Sequence, residues 1–422
     1  MRGRTDGAGG PLLALVVPRP TIPALAALAG APAAAMHLAG ALKSTPALAN
    51  LSFDLTLAAA ALLLPALPLI LAGRAWRVDR ILALPLACCA GLLLWLVAAA
   101  LWSPSRVVLE AKLPEVVLLG PAMLAAGLLT GADPAARRVL CAASLAIGVF
   151  VAASVAHGLA TGGVVLGGLA GANPDLVRVQ YQLAGLAIAG AAGLAAVRVA
   201  EARGLRRLLP GVLVAGLAAA ALLPGGRAAL LALGATVLLA PAALHWSRGR
   251  PDSAVGWAGL CLAGLAVALG LLALNPQAAE GLRTLERFTG EGVAASARPI
   301  LWGEALRWAG DAAPWGLGTG AFTIASGSGE RRGLYPHNHA LEALTEAGLP
   351  GLLLWLGAFG GGAAVLLARI RHLPPGDAAR LVALVLPVAI GIMVSTDLGN
   401  RMAWFALGLA LSPGLTAAPR HG

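Results

Sequence analysis

Runs of about 17–25 predominantly apolar residues, most of them without a charged side chain, recur along the whole chain. A helix of that length is what about 30 Å of hydrocarbon demands, because a spanning segment must satisfy its own backbone hydrogen bonds. Twelve such runs can be traced, at 21–42, 48–72, 81–102, 108–129, 138–160, 180–199, 208–224, 227–246, 254–274, 344–368, 380–396 and 402–418. The expected fold is an all-α polytopic membrane protein of about twelve transmembrane helices, forming one integral membrane domain over residues 1–422. The first run resembles a signal peptide in its flanking Arg2 and Arg4, but its uncharged stretch is too long for a typical signal core, so a retained helix is expected.

Hydrophobic residues are 59% of the 422 and charged residues 12%, which excludes an ordinary soluble enzyme. The apolar content is mostly Ala, Leu, Val and Gly, small enough for close helix packing. All four cysteines (Cys88, Cys89, Cys141, Cys261) fall inside apolar runs and read as buried thiols, not as a disulfide framework or zinc site.

The net charge of +11 would suggest nucleic acid if it were pooled on one surface. It is instead distributed by topology. With the N-terminus inside, eighteen of the 30 Lys and Arg residues fall on the cytoplasmic side, against six of the 19 acids. That asymmetry is the positive-inside pattern for an even number of spans with both termini cytoplasmic, and no nucleic-acid partner is expected.

One connection is long. Residues 275–343 form a polar segment on the outer face between spans nine and ten, within which Gln277–Phe288 and Arg298–Gly310 read as helical. At its exit stands Pro336-His337-Asn338-His339, followed by Glu342, Glu346, Gly348 and Gly351. Titratable groups at a membrane edge are costly to retain. Histidine accepts and releases protons near neutral pH, so His337 is the candidate general base, with His339 the second choice. Asn338 could cap the following helix or bond a polar substrate, and Glu342 and Glu346 share a helix face from which they could orient an imidazole. An ordinary helix cap with interfacial polar residues is the plain alternative. His337 and His339, two apart, would point away from each other on a helix and make a poor metal pair.

Arg227 sits at the start of span eight, where the helix dipole favours anions and where arginines are otherwise scarce. Its planar fork suits phosphate oxygens. Arg298, ahead of Pro299 at another helix start, reads the same way. Snorkelling interfacial arginines are the alternative for both. Arg178 and Arg401 are more readily structural, the latter as an ion pair with Asp397. Lys112 could contact an anion or be paired locally with Glu110 and Glu115. His37 and Asp54 could line a cavity or serve helix packing. Gly316-Leu-Gly318-Thr-Gly320 follows no strand and reads as a turn, not a dinucleotide loop. No metal and no cofactor are expected.

The spacing His337-Asn338, nine residues, Gly348-Leu-Pro-Gly351 resembles the signature of bacterial O-antigen ligases of the Wzy-type ligase and polymerase superfamily. Gly226-Arg227 is similar to the arginine of the family's Ser-Arg-Gly element, with Gly226 and Ala228 in place of its serine and glycine. Arg298 to Trp302, then Pro314 to Gly320 and Phe322, resembles its arginine–tryptophan–Gly-x-Gly stretch. The resemblance implies a Gram-negative inner-membrane enzyme with its active site facing the periplasm. It would transfer a glycan from undecaprenyl diphosphate to a hydroxyl of the lipid A–core oligosaccharide, metal-independently and with inversion. In that reading His337 is the base, while Arg227 and Arg298 hold the diphosphate. O-antigen polymerases and protein O-oligosaccharyltransferases, using the same donor, share the signature; a transporter or lipid flippase is the non-enzymatic alternative.

Overall fold

The structure, a computed structural model, describes residues 13–16, 27–43, 45–49, 51–71, 75–166, 177–224, 226–277, 282–286, 298–331 and 333–418. Residues 21–26 of the first expected span, Gly225, the stretches 278–281 and 287–297 of the long connection, and Arg2, Arg4, Arg19, Arg74 and Arg420 of the basic set lie outside them.

The described chain is mostly helical. Strand β1 (Leu13–Val16) leads to two short helices, α1 (Gly30–His37) and α2 (Ala39–Lys43), within the first expected span. The second expected span holds α3 (Leu55–Leu71), 17 residues long. The Asp54 carboxylate accepts from Thr56 N and Leu57 N at its start and pairs with Lys43 at 2.5 Å, a capping role rather than a cavity lining.

After β2 (Ala75–Val78) come α4 (Arg80–Trp102), α5 (Val107–Ala132) and α6 (Pro134–Ala160). Strands β3 (Val164–Leu166) and β4 (Val177–Val179) precede α7 (Tyr181–Glu201), α8 (Gly204–Ala221), α9 (Arg227–Ser247) and α10 (Pro251–Leu274). The long connection carries α11 (Arg298–Asp311), and then follow α12 (His339–His372) and α13 (Pro375–Val394). Among the described residues, these nine helices α4–α10, α12 and α13 are long and apolar enough to cross a membrane.

The chain is mostly helical, as expected of the all-α class, and short strands interrupt it in two places. β2 pairs antiparallel with both β1 and β5 (Leu415–Ala418), and β3 pairs parallel with β4. The last expected span, 402–418, is helical only as α14 (Arg401–Leu411). Ser412-Pro413-Gly414 then forms a tight turn and hands the chain to β5, since proline cannot continue the helical ladder. Of the expected loop helix Gln277–Phe288, Arg283–Glu286 is helical among the described residues.

Small residues decide which helices meet. A Cβ on Gly127 of α5 would lie 2.1 Å from the Phe405 carbonyl of α14, and one on Gly408 would lie 2.2 Å from that of Leu124. Close backbone approach is the packing available where lipid is as apolar as leucine. α7 is the most enclosed of the nine, with Ala184 through Val197 buried continuously, as a helix apolar all round should be. Its first residues are Tyr181 and Gln182.

The alternating helices divide the molecule into two ends. At one, ion pairs tie helices together: Arg137 to Asp377 at 2.6 Å, Arg380 to Glu201 at 2.5 Å, and Arg369 to Asp79. At the other stand the starts of α5, α7, α9, α12 and α14 and the end of α13, with residues 298–331 and 333–338 laid across them.

Candidate active site

The segment before α12 is bonded onto the helix ends beneath it. Thr319 donates its Oγ1 proton to the Leu96 carbonyl (2.7 Å), and Ser103 Oγ donates to the Thr319 carbonyl (2.7 Å). Glu330 accepts from Arg106 N at 3.0 Å and from Val107 N, filling the open donors at the start of α5. Gly316, Gly318 and Gly320 all have positive φ (81°, 100°, 81°), which makes this stretch the turn its composition suggested.

That turn meets a break in α12. Gly348 has φ 67° and ψ −163°, outside helical geometry. The break frees three carbonyls, and each finds a donor: Thr345 from Leu317 N (2.9 Å), Glu346 from Gly318 N (2.9 Å), and Ala347 from Trp95 Nε1 (2.7 Å). The backbones are so close that a Cβ on Gly348 would stand 2.1 Å from the Pro314 carbonyl. The first glycine of the Gly348-Leu-Pro-Gly351 element is therefore the point where the loop enters the helix.

Asn338 caps α12, its Oδ1 accepting from Leu341 N at 3.1 Å, while its Nδ2 donates to the Met393 carbonyl at 2.9 Å. One side chain thus fixes both the start of α12 and the end of α13. His337 just before it is half-buried, with φ 58°, a left-handed conformation uncommon for a side-chain-bearing residue. Its Nδ1 lies 3.4 Å from the Ser395 carbonyl. A carbonyl only accepts, so Nδ1 carries the proton and Nε2 keeps the lone pair. The Tyr335 ring packs on the imidazole at 4.2 Å, and its hydroxyl donates to the same carbonyl at 3.4 Å. Burial lowers the His337 pKa below its ordinary 6.5, and the Arg298 charge adds to this against the Ser395 bond, so the ring is neutral at neutral pH. Burial raises the Tyr335 phenol, which stays protonated as a donor.

Arg298 reaches this group through Gln182. The amide orientation that satisfies its neighbours has the oxygen accepting from Arg298 at 2.8 Å and from Tyr181 Oη at 3.3 Å, and the nitrogen donating to the Ser395 carbonyl at 3.0 Å and to the Ser395 hydroxyl. Gly226, which precedes Arg227 and caps α9, packs against Tyr181, 3.6 Å from that residue to where its Cβ would stand. The starts of α7, α9 and α11 and the residues before α12 therefore converge. Arg178 lies on β4, three residues ahead of Tyr181.

Five other expected residues are used differently. Glu342 and Glu346 do not orient an imidazole: both bond Lys112, which is buried at 6% exposure, and each also accepts a backbone N–H, from Leu398 (2.9 Å) and Gly320 (2.7 Å) respectively. Lys112 thus spends its charge on internal carboxylates, not on Glu110 and Glu115 and not as an open anion contact. His339 is fully buried, its Nε2 3.1 Å from Thr396 Oγ1 and its ring edge-on to Phe359. Arg401 opens α14 beside Glu115, whose Oε2 crowds Gly399 together with Asp397. Among the described residues, no ion pair joins Arg401 to Asp397. Burial pushes the Asp397 carboxyl up.

The sequence reading missed Gln182, Tyr181, Tyr335 and Ser395. One signal was available. The chain has two tyrosines, and both stand in this cluster.

Residues 176–356 match the family model described as O-antigen ligase. The match is consistent with a member of the O-antigen ligase superfamily. It takes in Gln182, Arg227, Arg298, His337 and both glycines of the α12 break, and leaves Lys112, Ser395 and Arg401 outside. It supports an O-antigen ligase or polymerase type of function, that of a glycosyltransferase-like membrane enzyme of lipid-linked glycan. No curated protein matches the chain.

Proposed function

We propose that this protein is an O-antigen ligase, transferring a glycan from undecaprenyl diphosphate to a hydroxyl of the lipid A–core oligosaccharide at the periplasmic face of the Gram-negative inner membrane. The observation that carries this reading is the convergence of a neutral, tautomer-fixed His337 with Arg298 through Gln182 and Ser395, of which His337, Arg298 and Gln182 lie in the stretch that matches the family model.

The chemistry follows from what each group can do. His337 Nε2 takes the proton of the acceptor hydroxyl as its oxygen attacks the anomeric carbon. The bond between that carbon and the diphosphate oxygen breaks, the electron pair leaves with undecaprenyl diphosphate, and the configuration inverts. Charge grows on the leaving diphosphate, where Arg298 and Arg227 at the start of α9 supply fixed positive charge. Asn338 positions the base by holding the start of α12. His339, buried against Thr396 and Phe359, does not touch the reacting atoms.

The test is reconstitution of the purified protein with lipid-linked O-antigen and lipid A–core. Glycan on the core supports the ligase. Elongated lipid-linked polymer would make it a polymerase, and glycan on a protein acceptor an O-oligosaccharyltransferase; either product overturns the ligase assignment. Replacing Arg298 with Ala should reduce transfer by about 10² or more, with the main loss in donor use.

A further inference from the structure

We propose that Gln182 is a positioning residue of this site: its amide couples the Arg298 guanidinium to the Ser395 carbonyl that holds His337, and so sets the spacing between the anion-binding and proton-accepting halves. The proposal rests on the reading of Arg298 and His337 given above.

The geometry asks for this side chain. Joining a guanidinium, which only donates, to a carbonyl, which only accepts, needs a group with an acceptor at one end and a donor at the other. A carboxamide has both. Gln182 accepts from Arg298 at 2.8 Å, and its nitrogen donates to the Ser395 carbonyl at 3.0 Å and to the hydroxyl of the same residue. That carbonyl is also approached by His337 Nδ1 and the Tyr335 hydroxyl, each at 3.4 Å. It has two lone pairs for three donors, and the Gln182 bond is the shortest, so Gln182 has the strongest hold on the peptide that orients the imidazole.

The base it works from is rigid. Gln182 stands in the first turn of α7, whose residues from Ala184 to Val197 are buried without a break, whereas Arg298 and His337 belong to the segment laid over the helix ends. Tyr181 beside it donates to the same amide oxygen and packs against Gly226 at the start of α9. The Tyr181-Gln182 pair is thus the fixed point to which Arg227's helix, Arg298 and the His337 support are all referred.

Two variants separate coupling from plain packing. Gln182→Leu keeps the bulk and removes the bonds to Arg298 and Ser395; Gln182→Glu keeps an acceptor for Arg298, loses the donor to the Ser395 carbonyl and adds a charge beside the anion site. Affinity for undecaprenyl diphosphate, read by thermal shift of the full protein, is expected to fall about tenfold or more in Gln182→Leu, because a hydrogen bond to a charged group is lost. It should fall further in Gln182→Glu. The acid limb of the pH–rate profile should move up toward 6.5 in Gln182→Leu, since Arg298 no longer stands beside His337. In an Arg298→Ala background, Gln182→Leu should change donor affinity little further.

Wild-type affinity and an unmoved acid limb in Gln182→Leu would overturn the proposal. So would independent, multiplying losses in the double variant, or the unfolding of both single variants. Absence of transfer by the wild-type protein would instead sink the functional reading, while the binding arm still measures the coupling.

Discussion

His337 shows how much one position carries. Its left-handed backbone turns the ring toward Ser395, burial keeps it neutral, and the carbonyl decides which nitrogen is free. The pH dependence follows with a definite sign. The working base is the neutral ring and its pKa is lowered, so transfer should rise with pH and reach its plateau with a midpoint below 6.5. A midpoint above 6.5 in the pH–rate profile would remove His337 as the base. His337→Ala should reduce transfer by about 10² or more while leaving affinity for undecaprenyl diphosphate near wild type. Lys112 makes the opposite kind of prediction. Lys112→Met leaves Glu342 and Glu346 buried without their cation, a change that typically destabilises by about 3–5 kcal/mol. The thermal midpoint should drop, and adding Glu342→Gln and Glu346→Gln should recover part of it. His337 and Arg298 were legible in the sequence because rare polar residues stand out in an apolar chain. The partners of Lys112 were not, because Glu342 and Glu346 lie 230 and 234 residues away and only the fold brings them near.

At the scale of elements, α12 is two helical segments joined at an entry point for the loop. Proline alone does not explain the break: Pro350 follows it, and what the position requires is positive φ with no side chain, at Gly348. Gly348→Ala should therefore displace residues 312–320 and leave the Ala347 carbonyl without Trp95. The expected result is loss of transfer together with faster limited proteolysis between residues 312 and 333. Gly303→Ala, in α11 with nothing within 4 Å of the added methyl, should behave as wild type in both assays. Equal proteolysis of the two variants would mean that the turn is not held by the break. The Gly348–Gly351 spacing could be read as a pattern from the sequence, but its meaning could not, since the other half of the contact is Pro314 to Gly318. The helices with sustained apolar runs were read nearly to their ends. α14 was not, because its apolar composition continues through a strand that hydrophobicity alone does not distinguish from helix.

Across the whole molecule, charge is sorted by end. Arg137, Arg369 and Arg380 bind Asp377, Asp79 and Glu201 at the end away from His337, and β1, β2 and β5 form one sheet alongside Arg80. This is the end that the positive-inside rule assigns to the cytoplasm, so the residues around His337 should face the periplasm. The orientation can be read directly. In a background with the four native cysteines replaced by Ala, Ser328→Cys, exposed in the segment over the helix ends, should react with a membrane-impermeant maleimide when the outer membrane alone is opened. Ser253→Cys, exposed at the start of α10 at the opposite end, should react only after the inner membrane is also permeabilised. The reverse order would put Arg298 and His337 on the cytoplasmic side. A periplasmic acceptor hydroxyl would then have no route to the base, and the ligase reading would fall with the topology even if the site geometry stood.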